Sequence, residues 1–161
     1  MKWLFLAATL FLSQPIFAAS ENTDKLVDDF VRLEAKRLGG TAYEQARKII
    51  VSLDKNKEII SLVAVYTIES INGGNNYSQF MVAFQKTNGA YKPTKPVLVG
   101  GNGYRSVDIE EVKHGQIITL LTKNYTDEDP LCCPSLPGKS WFFITEDGLV
   151  EKLLKFEATR E

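Results

Sequence analysis

The first regular pattern of apolar and polar positions is helical and covers residues 21–38. Leu26, Phe30, Leu33 and Arg37 recur at helical spacing, with Val27 and Val31 alongside. This spacing of three and four residues places them on one face of a helix. Asn22 or Thr23 can cap its start, and Gly39 and Gly40 can end it. The stripe predicts a helix that packs on a sheet, with a partner-binding helix as the alternative.

Beyond residue 40 the pattern changes to short runs rich in β-branched and aromatic residues, separated by turn residues. The predicted strands are residues 47–53, 59–68, 77–85, 96–99, 104–112, 116–123, 141–145 and 149–156. Tight turns are predicted at Asn88 and Gly89 and at His114 and Gly115. Consecutive hairpins imply antiparallel neighbours.

The pattern as a whole predicts an α+β fold that is mainly β. One N-terminal helix packs on a curled antiparallel sheet, or on a sandwich, of about eight short strands. In the strand at residues 77–85, alternation places Phe80, Val82 and Phe84 on one face.

The first residues have the features of a secretory signal peptide. Lys2 supplies the positive charge, residues 3–12 form an apolar run, and Pro15 interrupts it. Small residues follow, and we expect cleavage after Ala18 or Ala19. A membrane anchor is disfavoured because a spanning helix needs roughly 20 apolar residues.

Residues 1–19 are thus predicted to be a signal peptide and residues 20–161 a single α+β domain. The chain carries 19 basic and 20 acidic residues, a net charge of −1. That balance gives no electrostatic reason to propose nucleic acid as a partner. A second apolar segment long enough to span a bilayer is absent from the sequence, so we expect no membrane span in the mature chain.

Cys132 and Cys133 are the only two cysteines. In an oxidising compartment the intramolecular option is a disulfide between these neighbours. Their Cα atoms lie about 3.8 Å apart across a trans peptide, closer than in ordinary disulfides. Pro130 and Pro134 flank the pair and favour a turn. We expect the bond to clamp the loop at residues 129–137. The alternatives are a redox or thiol-sensing role, thiolate binding of Cu(I), and intermolecular pairing.

Three other features have a chemical and a plain interpretation. His114 is the only histidine and is interpreted as an exposed turn residue, with a Cys–His pair as the alternative. Asp54, Asn56 and Glu58 alternate as in calcium loops, but the interleaved lysines favour a plain polar turn. The acidic cluster at residues 127–129 is expected to raise the pKa of the nearby thiols by charge repulsion.

Between residues 53 and 135 the order of motifs resembles a family of uncharacterised bacterial exported proteins with a D-x-x-C-C-P-[ST] segment. It is broadly similar to the LppP/LprE-type envelope lipoproteins. The matching pieces are residues 53–58, Gly73 and Gly74, residues 97–101, and residues 129–135. The resemblance implies an envelope location and no particular activity. The chain differs from the lipoproteins because it has no lipidation cysteine.

Taken together, these features predict a soluble periplasmic or secreted protein. We expect a non-enzymatic module of the cell envelope, with no catalytic residue, metal ligand or cofactor site. Its partner is expected to be an envelope protein or a small ligand that binds its loops. The alternative function is thiol-redox or copper handling by Cys132 and Cys133.

Overall fold

The computed structural model describes residues 17–152, with side chains from Asn22 onward. A long helix leads into nine strands within this range. The elements are α1 (Phe17–Leu38), β1 (Thr41–Leu53), β2 (Ile59–Glu69), β3 (Tyr77–Thr87), β4 (Ala90–Pro93), β5 (Val97–Gly101), β6 (Arg105–Lys113), β7 (Ile117–Asn124), β8 (Leu136–Thr145) and β9 (Gly148–Lys152). Most of the predicted signal peptide, residues 1–16, lies outside the described residues, as does the predicted end of the last strand, residues 153–156.

The strands form one antiparallel sheet in the order β1-β2-β3-β5-β6-β7-β8-β9, and β4 pairs with β3. The sheet is open, with β1 and β9 at its edges. It curls so that β1 approaches β6, where Lys48 forms an ion pair with Asp108. The predicted α+β fold, mainly β with a helix on a curled antiparallel sheet, is confirmed.

Strands β2 and β3 are buried on both faces of the sheet. In β2 every residue from position 61 to position 68 is buried. On one face, Val63 and Met81 belong to a core that β5 to β9 complete from across the curl. On the other face, Tyr66 and Phe84 pack beneath α1 together with Val82, so the predicted apolar face of β3 is confirmed. The central strands therefore separate two hydrophobic cores.

The sheet is most weakly joined between β5 and β6, which pair at Gly101 and Arg105. Gly101 has a φ of 145°, and a Cβ atom there would lie 2.8 Å from the carbonyl oxygen of Tyr77. The side chain of Gln79 strengthens this junction from β3. Its amide oxygen accepts the N–H of Val107 at 2.9 Å, and its amide nitrogen donates to the Val107 carbonyl at 3.2 Å. A side-chain amide thus replaces part of the strand ladder.

Helix α1 begins earlier than predicted. The expectation that Asn22 or Thr23 caps it was wrong, because the helix already begins at Phe17. The alanines that follow have high helix propensity and extend it toward the N-terminus. The predicted end is confirmed at Gly39, which has a φ of 65°, and the N–H of Gly40 donates to the Ala35 carbonyl at 2.9 Å.

The buried face of α1 is displaced from the predicted stripe. The buried positions are Val27, Val31 and Ala35, together with the polar Thr23. The predicted stripe would bury Leu26 and Phe30 against the sheet, but both flank the buried face and are only partly buried. Leu33 is 68% exposed, because the small and β-branched positions, rather than the larger ones, point at the sheet.

The described residues contain nine strands, one more than expected. Asn88 and Gly89 have φ values of 52° and 81°, as the predicted hairpin turn requires. The strand after this turn, β4, was not predicted because it is short and ends at Pro93, which has no N–H to donate. Thr94 then continues the contact, since its N–H donates to the Ala83 carbonyl at 2.7 Å.

Two predicted strands begin earlier in the structure. Strand β1 begins at Thr41 rather than residue 47, with an irregularity between Tyr43 and Lys48 that hides its alternation. Strand β8 begins at Leu136 rather than residue 141. Pro137 lies next to the first residue of β8, opposite Lys123 of β7, and strands tolerate proline near their start.

We predict that α1 stabilises the fold through its partly buried aromatic side chain. The ring of Phe30 lies edge-on to Tyr66 and Phe84, with centroid distances of 6.3 and 5.3 Å. Phe30→Ala should lower the free energy of unfolding by about 1–3 kcal/mol in urea denaturation, less than for a fully buried ring. The control Leu33→Ala should change it by less than about 0.5 kcal/mol. Equal effects of the two variants would contradict a packed helix.

Candidate functional site

The two longest connections between strands, residues 70–76 and 125–135, lie at the same end of the sheet. Tight turns join the strands at one end, after Leu53, Thr87, Lys113 and Thr145. At the other end the chain passes through residues 70–76, 102–104 and 125–135. We call this second end the loop end. Longer loops held on a rigid sheet are a common location for binding residues.

The loops at this end are joined to one another by specific hydrogen bonds. The hydroxyl of Tyr125 donates to the Leu131 carbonyl and accepts the N–H of Gly103 at 3.4 Å. The side-chain oxygen of Asn102 accepts the N–H of Tyr77 at 2.6 Å, and the Asn102 N–H donates back to the Tyr77 carbonyl at 3.2 Å. The loops at residues 102–104 and 125–135 are therefore held to each other, and the first of them is also held to β3.

Tyr77, Tyr104 and Tyr125 all lie at the loop end. Burial raises the pKa of the Tyr77 hydroxyl, and the neighbouring Tyr125 raises it further. Tyr77 therefore stays protonated at neutral pH, where a general base would need a pKa near the working pH. Tyr104 is exposed, and its ring centroid lies 4.8 Å from the Arg105 Cζ atom.

The loop at residues 125–135 is closed by one carboxylate. The Asp129 Oδ2 atom accepts the N–H groups of Thr126 and Ser135, each at 2.9 Å. The backbone hydrogen bond from Thr126 is the largest cause of the lowered pKa of Asp129, and the Ser135 hydrogen bonds also lower it. Inside the loop, the N–H of Cys133 donates to the Pro130 carbonyl at 2.9 Å. The carboxylate thus holds the loop ends together while the backbone turns between them.

Cys132 and Cys133 lie at the exposed tip of this loop, with the buried Pro134 behind them. Their Cα atoms are 3.8 Å apart and their sulfur atoms lie at disulfide distance. The expected extent of the clamped loop needs correction. The loop ends at Ser135 rather than residue 137, because β8 already begins at Leu136.

A cavity of about 410 Å³ is lined by residues of β6, β7, β8 and β9. Its lining includes Arg105, Thr122, Asn124, Gly138, Ser140, Trp141 and Glu151, with two lysines. The Arg105 side chain is only 8% exposed. Its Nε donates to the Val99 carbonyl at 2.6 Å, and its Nη1 donates to the Ser140 hydroxyl at 2.8 Å and to Glu151 at 2.9 Å. A buried cation therefore forms part of the cavity wall.

The remaining candidates from the sequence lie elsewhere. His114 is exposed in the turn between β6 and β7, at the end of the sheet opposite the cysteines, so the structure does not form a Cys–His pair. The Asp54 carboxylate accepts the N–H groups of Asn56 and Glu58 at 2.8 and 2.9 Å, which makes this segment a polar turn. Across residues 17–152, no group of three or more His, Cys, Asp or Glu is arranged to hold a metal ion.

Sequence reasoning missed the roles of Arg105 and Tyr125. A usable signal existed for Arg105, since it shares the inward alternation of Val107 and Ile109 along β6. An arginine in register with buried positions indicates a buried charge that needs partners. Nothing in the local sequence indicates the Tyr125 hydrogen bonds, because they join segments that are distant along the chain.

No family model, curated protein or solved structure matches this chain. The functional interpretation therefore depends on the geometry of the loop end and of the cavity lined by Arg105. Within residues 17–152, no helix combines the length and apolar character needed to cross a membrane.

We predict that the cysteine pair orders the loop without stabilising the whole fold. A ring between neighbouring residues removes little entropy from the unfolded chain, because that effect grows with loop length. The double variant Cys132→Ser, Cys133→Ser should change the free energy of unfolding by about 1 kcal/mol or less. Hydrogen exchange at residues 131–135 should become faster. Two free thiols in the exported wild-type protein, detected by mass tagging, would contradict the predicted bond.

A second prediction concerns Asp129 and pH. Its folded-state pKa is below the ordinary value of 3.8, so its contribution is complete above that value and is lost as pH falls through the lowered pKa. Hydrogen exchange at Ser135, corrected for intrinsic rates, should show greater opening over that acidic range. Asp129→Asn should show the open behaviour at neutral pH, whereas Asp127→Asn should not. Equal protection in all three proteins would contradict this role.

Proposed function

We propose that this chain is a non-enzymatic protein of the bacterial envelope that binds another envelope component through its loop end. The observation that carries this proposal is a set of hydrogen-bonded loops that keep apolar side chains in solvent. Leu131 is 76% exposed although its carbonyl is fixed by Tyr125. Leu136 and Tyr104 are also exposed at this end.

Such an arrangement favours binding on two physical grounds. When a partner covers large apolar side chains that were held in solvent, the removal of their surface from water favours binding. The fixed loop backbone reduces the entropy that ordering would otherwise cost on association. Tyr104 adds an amphipathic ring of the kind enriched at protein interfaces. The signal-peptide pattern supports placing this interaction in the periplasm or outside the cell.

The second candidate function is thiol-redox or copper handling by Cys132 and Cys133. It is favoured by the exposure of both residues at the loop tip, where a partner thiol can reach them. Free-thiol titration with and without reductant, together with metal analysis of the purified protein, separates the two functions. Bound copper or a pair that cycles between thiol and disulfide in the cell would place this candidate first.

We predict that the mature chain begins at Ala19 or Ser20 and is recovered in the soluble periplasmic fraction. The basis is the signal-peptide pattern without a lipidation cysteine. Intact-mass analysis of the protein from fractionated cells measures this directly. A mass that retains residues 1–18, or that includes a lipid, would contradict the prediction.

The binding surface can be tested by site-specific photo-crosslinking in the native host. A photo-reactive amino acid at position 131 should give an adduct of defined mass with an envelope component. The matched control is position 53, where Leu53 is 50% exposed at the opposite end of the sheet. Adducts that are absent, or that form equally from both positions, would count against the loop end as the binding surface.

A further inference from the structure

The guanidinium of Arg105 is incompletely satisfied. It has donors on Nε, Nη1 and Nη2, and the described residues supply acceptors for the first two. The Nη2 atom is buried and has no hydrogen-bond partner within residues 17–152. An unpaired donor on a buried cation is costly, and native structures rarely retain one without a reason.

The cavity beside Arg105 has polar walls and room for a small molecule. Thr122, Asn124 and Ser140 contribute hydroxyl and amide groups, and Trp141 contributes an aromatic surface. Gly138 keeps this space open, because a Cβ atom there would lie 2.8 Å from the Thr122 hydroxyl oxygen. A volume of about 410 Å³ falls within the usual range of small-molecule sites.

The charges around the cavity favour a single negative charge on the ligand. Arg105, Lys139, Lys152 and Glu151 line it. Lys139 is already paired with Glu110, at 2.8 Å. Glu151 balances one of the two remaining cations, which leaves about one positive charge unbalanced at the site.

We propose that this cavity binds a small hydroxylated carboxylate whose carboxylate group pairs with Arg105. The inference rests on the proposed binding function and assigns it a ligand class at the loop end. Glu151 is the exchangeable partner, since its side chain is 24% exposed and can turn to solvent. The ligand carboxylate takes its place on Nη1 and reaches Nη2 as well, which forms the two-pronged pair that arginine makes with carboxylates. The ligand hydroxyls then meet Thr122 and Asn124.

The test uses the full mature protein, labelled with ¹⁵N, and the probe pair glucuronate and glucose. These sugars differ in the carboxylate. Glucuronate should cause saturable shifts of the Arg105 Nε–H and Trp141 indole signals, whereas glucose should cause none.

Glu151→Gln should tighten glucuronate binding, because it removes the competing carboxylate. Arg105→Lys and Gly138→Ala should each weaken it by roughly tenfold or more. Arg32→Lys, an exposed remote change, is the control.

Several results would overturn the proposal. They are the absence of saturable glucuronate shifts, equal binding of glucose, or unchanged binding in Gly138→Ala. If Arg105→Lys does not fold by circular dichroism, the wild-type sugar pair and the Glu151→Gln and Gly138→Ala variants decide the question. Photo-crosslinking from position 131 is independent of this cavity. Adducts without glucuronate binding would therefore reject the ligand class alone, and glucuronate binding without adducts would reject the proposed partner surface alone.

Discussion

Burial of β2 and β3 on both faces is the constraint on which the rest of this structure depends. Neither strand alternates between core and solvent, because α1 covers one face and the second half of the sheet covers the other. The chain must therefore supply apolar residues at consecutive positions, as in residues 61–68. The curl of the sheet follows from the same requirement, since β6 to β9 reach the inner face only if the sheet bends back over it.

This double core also explains how the loop end can be specific while it is exposed. The strands that support it are anchored from both sides, so its loops need only a few hydrogen bonds to be positioned. Tyr125 and Asp129 supply these bonds, and both act on backbone groups rather than on particular side chains. A substitution of the exposed Leu131 side chain can therefore change the chemistry of this surface with little effect on its shape.

The fold was accessible from the sequence because its strongest signals are local. Helical spacing, β-branched runs and hairpin dipeptides such as Asn88 and Gly89 act over a few residues, and the elements they predict are present. The errors occur where tertiary contacts override local preference. The helix faces the sheet with Val27 rather than Leu33, and β8 includes Pro137, which lies opposite Lys123 of β7. The Arg105 cavity assembles residues from β6, β7, β8 and β9, and no short window of sequence contains that arrangement.

The narrow junction at Gly101 and Arg105 has a consequence for how the chain can assemble. On either side of it, nearly every strand pairs with a sequence neighbour, so α1 to β5 and β6 to β9 each depend on contacts that are close along the chain. Low sequence separation between partners favours rapid formation. Each half can thus acquire its hairpins from local contacts, whereas the inner core forms only when the two halves meet. Arg105 and Gln79 lie at the junction between the two halves. The side chain of each forms hydrogen bonds with backbone groups of the opposite half, so these bonds can form only once the halves have met.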